Sequence, residues 1–202
     1  MPRVSVVNYG VGNLRSVKRG LEKSGAEVLI TESPKDLIKS DAIVLPGVGA
    51  FGVAIKYMAP LCDILKQSVA DGKPLFGICL GLQLLFTRSS EGGSVGGLDL
   101  ISGDVIKLPS DVKAPQMGWN TIEIVQSHLL LEGVKNHSYV YFAHTYIPDP
   151  SERNVVVATT ECGVKFPSVI AKRNLFGTQF HPEKSGKTGL AVLQNFTGSV
   201  ER

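Results

Sequence analysis

The sequence predicts a single α/β domain built on a central, mostly parallel sheet. Short β-branched runs alternate with helix-period segments through the first half, and the second half offers strand-like segments with almost no helix. The 202 residues are 43% hydrophobic, which is enough to bury a full core. We therefore expect helices on both faces of the sheet and antiparallel strands from the second half.

The first half supplies the parallel part of this sheet. Its strand segments are apolar without alternating polar residues, as is typical of strands covered on both faces. The predicted strands are residues 4–9, 27–31, 42–46 and 74–78. The predicted helices are residues 13–23, 36–40, 51–70 and 80–88.

The second half supplies strands separated by turns rich in Pro, Gly, Asn and Ser. The segments are DVIKL, NTIEIV, YVYFAHTY, NVVVATTE, SVIAKR and LFGTQF. We expect them to add antiparallel strands to the same sheet. A last helix, TGLAVLQNF, closes the domain, which is predicted to comprise residues 1–202.

Composition and charge exclude several classes of protein. The three cysteines are widely spaced without a CxxC pair, so neither a disulfide framework nor a zinc knuckle is indicated, and a reducing cytoplasm fits. The chain begins as a strand rather than a leader, and no apolar run approaches the roughly 20 residues that cross a bilayer. The net charge of +3 is spread along the chain and forms no basic stripe. We expect a cytoplasmic protein with no nucleic-acid or membrane partner.

The segment GICLGLQ, residues 77–83, places Cys79 between Gly77 and Gly81 where a strand meets a helix. It is the cysteine counterpart of the G-x-S-x-G nucleophile elbow, whose tight turn leaves no room for side chains beside the nucleophile. The positive end of the helix would favour the thiolate, and the amide of Leu80 would face a developing oxyanion. A buried structural cysteine is the usual alternative, but it does not explain the two glycines. We therefore predict that Cys79 is a nucleophile.

His181 is the candidate base among the four histidines. It precedes Pro182, which biases it toward an extended conformation, and residues i and i+2 of an extended segment point the same way. Glu183 would therefore hold the second ring nitrogen of His181. Alone, His-Pro-Glu is equally an ordinary loop, but together with the elbow it predicts a triad of Cys79, His181 and Glu183. His144 lies in an aromatic strand and is expected to pack or bond locally.

Three alternative motifs fit the sequence less well. Residues 47–52 match G-x-G-x-x-G, but the acidic residue that a dinucleotide site needs after the next strand is misplaced. Residues 185–189, SGKTG, lack the first glycine of a Walker loop. A metal site of Cys79, His181 and Glu183 would lack closely spaced ligand pairs. The sequence therefore predicts neither a metal nor a cofactor, and the glycine segment at 45–52 becomes the second oxyanion donor.

Five segments together resemble the class I, triad glutamine amidotransferases: PGVGAFG, GICLGLQLLF, MGWN, YFAHTY and FHPEKSG. More narrowly, PGVGAFG, MGWN and the Lys-Ser after His-Pro-Glu resemble the glutaminase subunit of imidazole glycerol phosphate synthase, from histidine biosynthesis. The resemblance spans nearly the whole chain and implies a flavodoxin-like fold. Leu82 replaces the methionine more often found in this elbow, which is a swap of similar volume.

The resemblance implies a glutaminase reaction. Cys79 would attack the side-chain amide of L-glutamine, His181 would carry protons, and Glu183 would orient His181. A γ-glutamyl thioester would form and hydrolyse to glutamate, while the amides of Gly49 and Leu80 hold the oxyanion. The implied glutamine-binding residues are Gly47, Gln83, Glu91, Thr145 and Tyr146, with Glu91 pairing the substrate α-ammonium.

The resemblance also implies a protein partner. In this family ammonia passes to a cyclase of (β/α)₈-barrel type, which makes imidazole glycerol phosphate and an aminoimidazole carboxamide ribonucleotide. A barrel of about 250 residues does not fit in this chain, so the cyclase would be a separate subunit of a heterodimer or part of a fusion. The implied docking residues are Asn13, Arg19, Gln116, Met117, Trp119 and Lys184. Trp119 is equally well explained as a core residue.

Three other functions stay open from the sequence. The glutaminase could serve another synthase, such as one for pyridoxal phosphate or nucleotides. The elbow could belong to a hydrolase or peptidase that cleaves γ-glutamyl peptides. The chain could also be a non-catalytic docking subunit, which a Cys79→Ser variant would leave functional.

Overall fold

A computed structural model describes residues 1–10 and 12–200. Within these residues the chain forms fourteen strands, six α-helices and four short 3₁₀ helices. Strands β1 to β14 are Arg3–Val7, Glu27–Thr31, Ala42–Leu45, Leu75–Ile78, Phe86–Ser89, Val95–Gly96, Ile101–Lys107, Gln116–Thr121, Glu123–Ile124, Tyr139–His144, Tyr146–Pro150, Val156–Cys162, Val164–Lys172 and Leu175–Thr178. Helices α1 to α6 are Leu14–Lys23, Pro34–Lys39, Phe51–Met58, Cys62–Ala70, Leu80–Gln83 and Gly186–Val200. The 3₁₀ helices are Ala59–Leu61, Leu129–Leu131, Arg153–Val155 and Pro182–Lys184.

The central sheet has eight strands in the order β2-β1-β3-β4-β14-β13-β12-β9. The first five of these run parallel, and β13, β12 and β9 continue the sheet in antiparallel pairs. The predicted α/β fold is therefore confirmed. Strand β14 lies beside β4. The segments that carry Cys79 and His181 therefore follow neighbouring strands.

Helices cover the sheet on both faces, because alternate residues of the inner strands point in opposite directions. On β3, Val44 belongs to one buried cluster, and Ile43 and Leu45 belong to the other. Helices α1 and α6 pack on the first cluster, while α2, α3 and α4 pack on the second. Each fully buried aliphatic or aromatic side chain stabilises the fold by about 1.5–3 kcal/mol relative to exposure.

Part of the second half forms separate sheets, so the expectation that all its strands extend one sheet is wrong. Strands β11, β7, β5 and β6 form a four-stranded sheet, and β10 pairs with β8 in a two-stranded ribbon. The segment predicted as one strand over residues 139–146 is divided at Thr145. There the chain passes from the ribbon to the four-stranded sheet, and the Thr145 carbonyl accepts a hydrogen bond from the Leu108 amide at 2.9 Å.

Two predicted helices differ from the observed ones. The helix predicted over residues 51–70 is interrupted by the 3₁₀ helix at Ala59–Leu61, where proline lacks an amide hydrogen. The helix predicted over residues 80–88 ends at Gln83, and β5 begins at Phe86. The carbonyls of Leu84 and Leu85 accept from the amides of the loop that follows β6 instead of continuing the helix.

Candidate active site

Cys79 lies in the tight turn between β4 and α5, with a φ of 52°. Residues other than glycine rarely adopt this conformation, and such strain often marks functional positions. A Cβ at Gly77 would lie 2.6 Å from the Gly81 carbonyl oxygen and the Leu82 amide nitrogen. A Cβ at Gly81 would lie 1.8 Å from the carbonyl oxygen of Leu45. The turn therefore accepts only glycine on either side of the cysteine, as the elbow motif predicts.

His181 and Glu183 form a buried pair beside this turn. Nδ1 of His181 donates a 2.9 Å hydrogen bond to Oε1 of Glu183, and the two side chains are 2% and 1% exposed. The backbone is a 3₁₀ helix at Pro182–Lys184 rather than the extended segment expected, yet it still carries the carboxylate to the ring. Helix α1 covers the pair, since a Cβ at Gly20 would lie 3.8 Å from Glu183 Cβ. Because the carboxylate binds Nδ1–H, Nε2 is the nitrogen left to exchange protons.

The backbone of His181 is held by β10 and by Ser185. The His181 amide donates to the Tyr141 carbonyl at 2.9 Å. The Ser185 hydroxyl donates to the His181 carbonyl at 2.6 Å and accepts from the Tyr141 amide at 2.9 Å. Sequence reasoning missed Ser185, because only the fold brings Tyr141 to the His-Pro-Glu segment.

Cys79 and His181 meet at the carboxyl edge of two parallel strands. Ile78 of β4 is the register partner of Thr178 of β14, so both chains leave the sheet at the same place. Burial lowers the pKa of His181, but Cys79 and Glu183 outweigh burial and raise it to about 10. The effect of Cys79 on this pKa requires the sulfur to lie near the ring, but among the described residues no hydrogen bond of ordinary geometry reaches Nε2. Catalytic hydrogen bonds often tighten only when substrate binds.

A cavity of about 180 Å³ opens at Cys79. This volume is below the ~300–1,000 Å³ of sites for drug-sized ligands, so it suits a small metabolite. Of the predicted oxyanion and glutamine-binding residues, six line the cavity: Gly49, Leu80, Gln83, Glu91, Thr145 and Tyr146. Gly47 does not line it but packs beneath it, where a Cβ would lie 2.7 Å from Leu80 Cβ.

Two polar side chains of the cavity are fixed by the protein. Oε2 of Glu91 accepts a 2.8 Å hydrogen bond from the amide of Phe51, the first residue of α3, where an anion is favoured by the helix dipole. Gln83 is buried, and its Nε2 donates to the Tyr146 carbonyl at 2.9 Å and to Oε1 of Gln179 at 3.1 Å. Both side chains are therefore positioned before any ligand binds.

His144 contributes an acceptor that sequence reasoning missed. Its ring packs against Phe142 and Phe166, and Nδ1 donates to the Tyr146 carbonyl at 3.0 Å, as the expected local packing requires. Burial lowers the pKa of His144 to about 4, so the ring is neutral near pH 7. Nε2 then carries no proton, and it has no hydrogen-bond partner within residues 1–10 and 12–200. His144 also lines the cavity, although this nitrogen is itself buried.

A sequence model of the class-I glutamine amidotransferase family matches residues 5–199. This chain belongs to that family. The match includes the elbow, the His181–Glu183 pair and the cavity, so the predicted resemblance is confirmed.

Curated relatives of this amidotransferase are similar over nearly their whole length. One is named imidazole glycerol phosphate synthase subunit HisH, from Natronomonas pharaonis; it is 49% identical over 200 residues, which cover 96% of this chain and 93% of that protein. The protein of the same name from Methanosarcina acetivorans is 48% identical, and the match covers 97% of this chain and 98% of that protein. The crystal structure of a putative GMP synthase subunit from Thermoplasma acidophilum matches with a TM-score of 0.77 at 20% identity. The match covers 100% of this chain and 94% of that protein. The structural likeness shows that this chain and that protein share a fold.

The surface beside the cavity of the amidotransferase exposes large side chains. Met117 and Trp119 alternate on β8 and are 68% and 56% exposed, so Trp119 is not a core residue. The ring of Trp119 meets Tyr141 edge-on at 6.0 Å, and the Lys184 ammonium lies 5.6 Å from the centre of the Tyr141 ring. The other predicted docking residues are Asn13 and Arg19, which are exposed, and Gln116, which is buried.

The described part of the amidotransferase contains no group of His, Cys, Asp and Glu side chains arranged to hold a metal ion. The same residues include no helix that combines the length and the hydrophobicity needed to cross a membrane.

Proposed function

We propose that this chain is the glutaminase subunit of imidazole glycerol phosphate synthase. The observation that carries the proposal is the strained elbow of Cys79 beside the buried His181–Glu183 pair, in the wall of a small cavity. Relatives of that name, nearly half identical to this chain, support the choice of synthase. The proposed glutamine amidotransferase type-1 domain is the whole chain, residues 1–202.

The first half of the proposed reaction forms a thioester. The Cys79 proton passes to Nε2 of His181, and the sulfur attacks the δ-carbonyl carbon of L-glutamine. The amides of Gly49 and Leu80 hold the oxyanion; Leu80 begins α5, where first-turn amides have no acceptor within the helix. The imidazolium then gives its proton to the nitrogen, the C–N bond breaks, and ammonia leaves. Glu183 stabilises the positive charge on His181 throughout.

The second half releases glutamate. In the thioester the sulfur carries no charge, so the pKa of His181 falls and its ring loses its proton more readily near pH 7, which leaves Nε2 free to act as the base. Nε2 takes a proton from water as the water oxygen attacks the thioester carbonyl. The C–S bond then breaks, glutamate leaves after its new carboxyl group loses a proton to solvent, and the imidazolium returns its proton to the sulfur, which restores the starting state.

The proposed substrate contacts follow from the cavity wall. Glu91 pairs with the α-ammonium of glutamine, which simple amides lack, and this charge-assisted contact gives specificity. Gln83, Thr145 and Tyr146 complete the proposed amino-acid site, and Gly47 shapes the wall behind Leu80. A cytoplasmic location and a reaction without metal or cofactor stay predictions.

The proposed partner is a cyclase of (β/α)₈-barrel type that receives the ammonia in a heterodimer. Met117 supports this geometry because it lines the cavity and is also 68% exposed on the proposed docking face. A partner seated on Met117 and Trp119 would therefore cover the mouth of the cavity and keep ammonia from the solvent. The other proposed docking residues are Asn13, Arg19, Gln116 and Lys184.

Reconstitution with a candidate cyclase tests the proposal. We expect synthesis of imidazole glycerol phosphate with either glutamine or ammonium salts as the nitrogen donor. Cys79→Ser should abolish synthesis from glutamine and retain synthesis from ammonium, whereas Cys62→Ser, on α4, should retain both. Undiminished glutamine-dependent synthesis with Cys79→Ser would reduce the chain to a docking subunit. Failure to support any such cyclase would assign it to another synthase.

A further inference from the structure

A chain of buried hydrogen bonds leads from the cavity wall to the nucleophile. Gln179 follows β14 and is fully buried. Its Nε2 donates to Sγ of Cys79 at 3.5 Å, and its Oε1 accepts from Nε2 of Gln83 at 3.1 Å. Nε2 of Gln83 also donates to the Tyr146 carbonyl at 2.9 Å. Two side-chain amides thus connect a backbone carbonyl to the sulfur.

The Tyr146 carbonyl fixes the direction of each hydrogen bond in this series. A side-chain amide can be placed either way round, and only its partners decide which end is the donor. The Tyr146 carbonyl can only accept, so the nitrogen of Gln83 must face it. The second hydrogen on that nitrogen requires an acceptor, which makes the oxygen of Gln179 face Gln83. The nitrogen of Gln179 is therefore held toward Cys79 as an obligatory donor.

An obligatory donor stabilises negative charge on the Cys79 sulfur when the proton leaves it. A thiolate accepts a charge-assisted hydrogen bond, which is about twice as strong as a neutral one. His181 and the buried Tyr9 are the titratable groups whose pKa values are raised by interaction with Cys79. The contact that opposes Gln179 is the Ala143 carbonyl, which lies 3.7 Å from Sγ and can accept only from the protonated thiol. This contact is longer and involves a weak S–H donor, so the amide of Gln179 dominates.

We propose that Gln179 is a positioning residue whose side-chain amide holds the Cys79 sulfur in place and stabilises the negative charge that forms on it as its proton passes to His181. This inference rests on the proposed glutaminase function. Gln179 is buried behind Cys79 and Gln83 and is not among the residues that line the cavity in the described chain. Its loss should therefore lower kcat for glutamine more than it raises KM.

The pH dependence of Cys79 alkylation tests this role directly. Gln179→Met keeps a similar volume but removes the donor. With iodoacetamide as the probe and mass spectrometry to locate the product, we expect the midpoint of the alkylation rate to move up by about one pH unit. In the reconstituted complex, kcat/KM for glutamine should fall about tenfold near pH 7 and recover as the pH rises.

Ser168→Ala is the matched control. Ser168 lies on β13, is fully buried, and its hydroxyl has no hydrogen-bond partner among the described residues, while its carbonyl accepts from the Gln179 amide at 2.9 Å. This variant disturbs the packing beside Gln179 without touching the donor, so its alkylation midpoint should match the wild type. Gln179→Leu repeats the test if Gln179→Met does not fold.

Two results would overturn the role of Gln179. One is an unchanged alkylation midpoint in a folded Gln179 variant. The other is a loss of kcat/KM that is equal at every pH, because it would indicate packing alone. Alkylation requires neither turnover nor a partner, so it tests Gln179 independently of the proposed function. If the midpoint shifts but the wild-type complex hydrolyses no glutamine, the proposed function is overturned and the role of Gln179 toward the sulfur is retained.

Discussion

The backbone amide of Cys79 donates a 2.7 Å hydrogen bond to the carbonyl of Thr178. This bond joins the end of the strand that carries the proposed nucleophile to the segment that carries the proposed base, three residues before His181. Because β4 and β14 are parallel neighbours, the distance between sulfur and imidazole is set by the register of a buried sheet and not by a loop. Changes to single groups at this edge should therefore act on chemistry more than on fold.

Replacing Glu183 should move the alkaline limit of activity. The carboxylate is one of the groups that raise the pKa of His181 to about 10, so Glu183→Gln lowers this pKa and the imidazolium is lost at a lower pH. We expect the alkaline decline of kcat/KM to begin at lower pH, and kcat near pH 7 to fall by roughly 10²–10⁴ because the ring tautomer is no longer fixed. The pH profile of glutamine hydrolysis by the complex measures both. Glu22→Gln, at an exposed pair with Lys18, is the control, and an unmoved alkaline limit would contradict the prediction.

His144 should make the fold less stable in mild acid. Its pKa is about 4 in the folded state against 6.5 ordinarily, so as the pH falls the unfolded chain takes up a proton first. Above about pH 6.5 the ring is neutral in both states and does not change the free energy of unfolding. Between about pH 6.5 and 4 the free energy of unfolding falls by about 3 kcal/mol. His144→Asn retains a donor for the Tyr146 carbonyl and should lose less stability over this range. Urea unfolding of both proteins at pH 7 and pH 4.5 measures the difference; parallel losses would refute it.

Two glycine-to-alanine changes should have opposite effects on stability. At Gly81 the new Cβ would lie 1.8 Å from the Leu45 carbonyl, so Gly81→Ala must displace β3 or the elbow and should destabilise the fold by about 3 kcal/mol or more. At Gly198, exposed on α6, nothing lies within 4 Å, and Gly198→Ala should stabilise by about 0.5–1 kcal/mol. Thermal and urea unfolding compare the pair. Equal effects would mean that the elbow can open to admit a methyl group.

Neutralising Glu91 should weaken substrate binding more than chemistry. Glu91→Gln keeps an oxygen that can accept from the Phe51 amide, so the start of α3 and the unfolding temperature should be preserved. The charge opposite the substrate α-ammonium is lost, and we expect KM for glutamine to rise by about 10- to 100-fold with a smaller change in kcat. Steady-state kinetics of the complex check this. A normal KM would remove Glu91 from the proposed site.

The sequence could predict the elbow because its geometry depends on consecutive residues. Gly77, Cys79 and Gly81 lie within five positions, and their sterics follow from the turn alone. Helix and strand could not be separated over residues 80–88, because Leu84, Leu85 and Phe86 are all fully buried and show no periodicity. Tertiary bonds from the following loop decided the outcome there.

Residues that act through contacts distant in sequence could not be predicted. Gln179 is a polar residue between Thr178 and Phe180, and nothing in that segment indicates that its amide meets Gln83 and Cys79. Likewise, His144 belongs to an apolar aromatic strand, and its bare Nε2 follows only from the bond that Nδ1 makes to Tyr146. Both depend on how three separate sheets meet at one edge.

The position of β14 between β4 and β13 has a consequence for biosynthesis of the protein. A chain still on the ribosome that has not yet extended beyond β13 contains the cysteine turn but neither the histidine nor the strand that completes the middle of the sheet. On the proposed mechanism, nascent and prematurely terminated chains should therefore be inert, and the proposed release of ammonia should begin only when the final segment inserts.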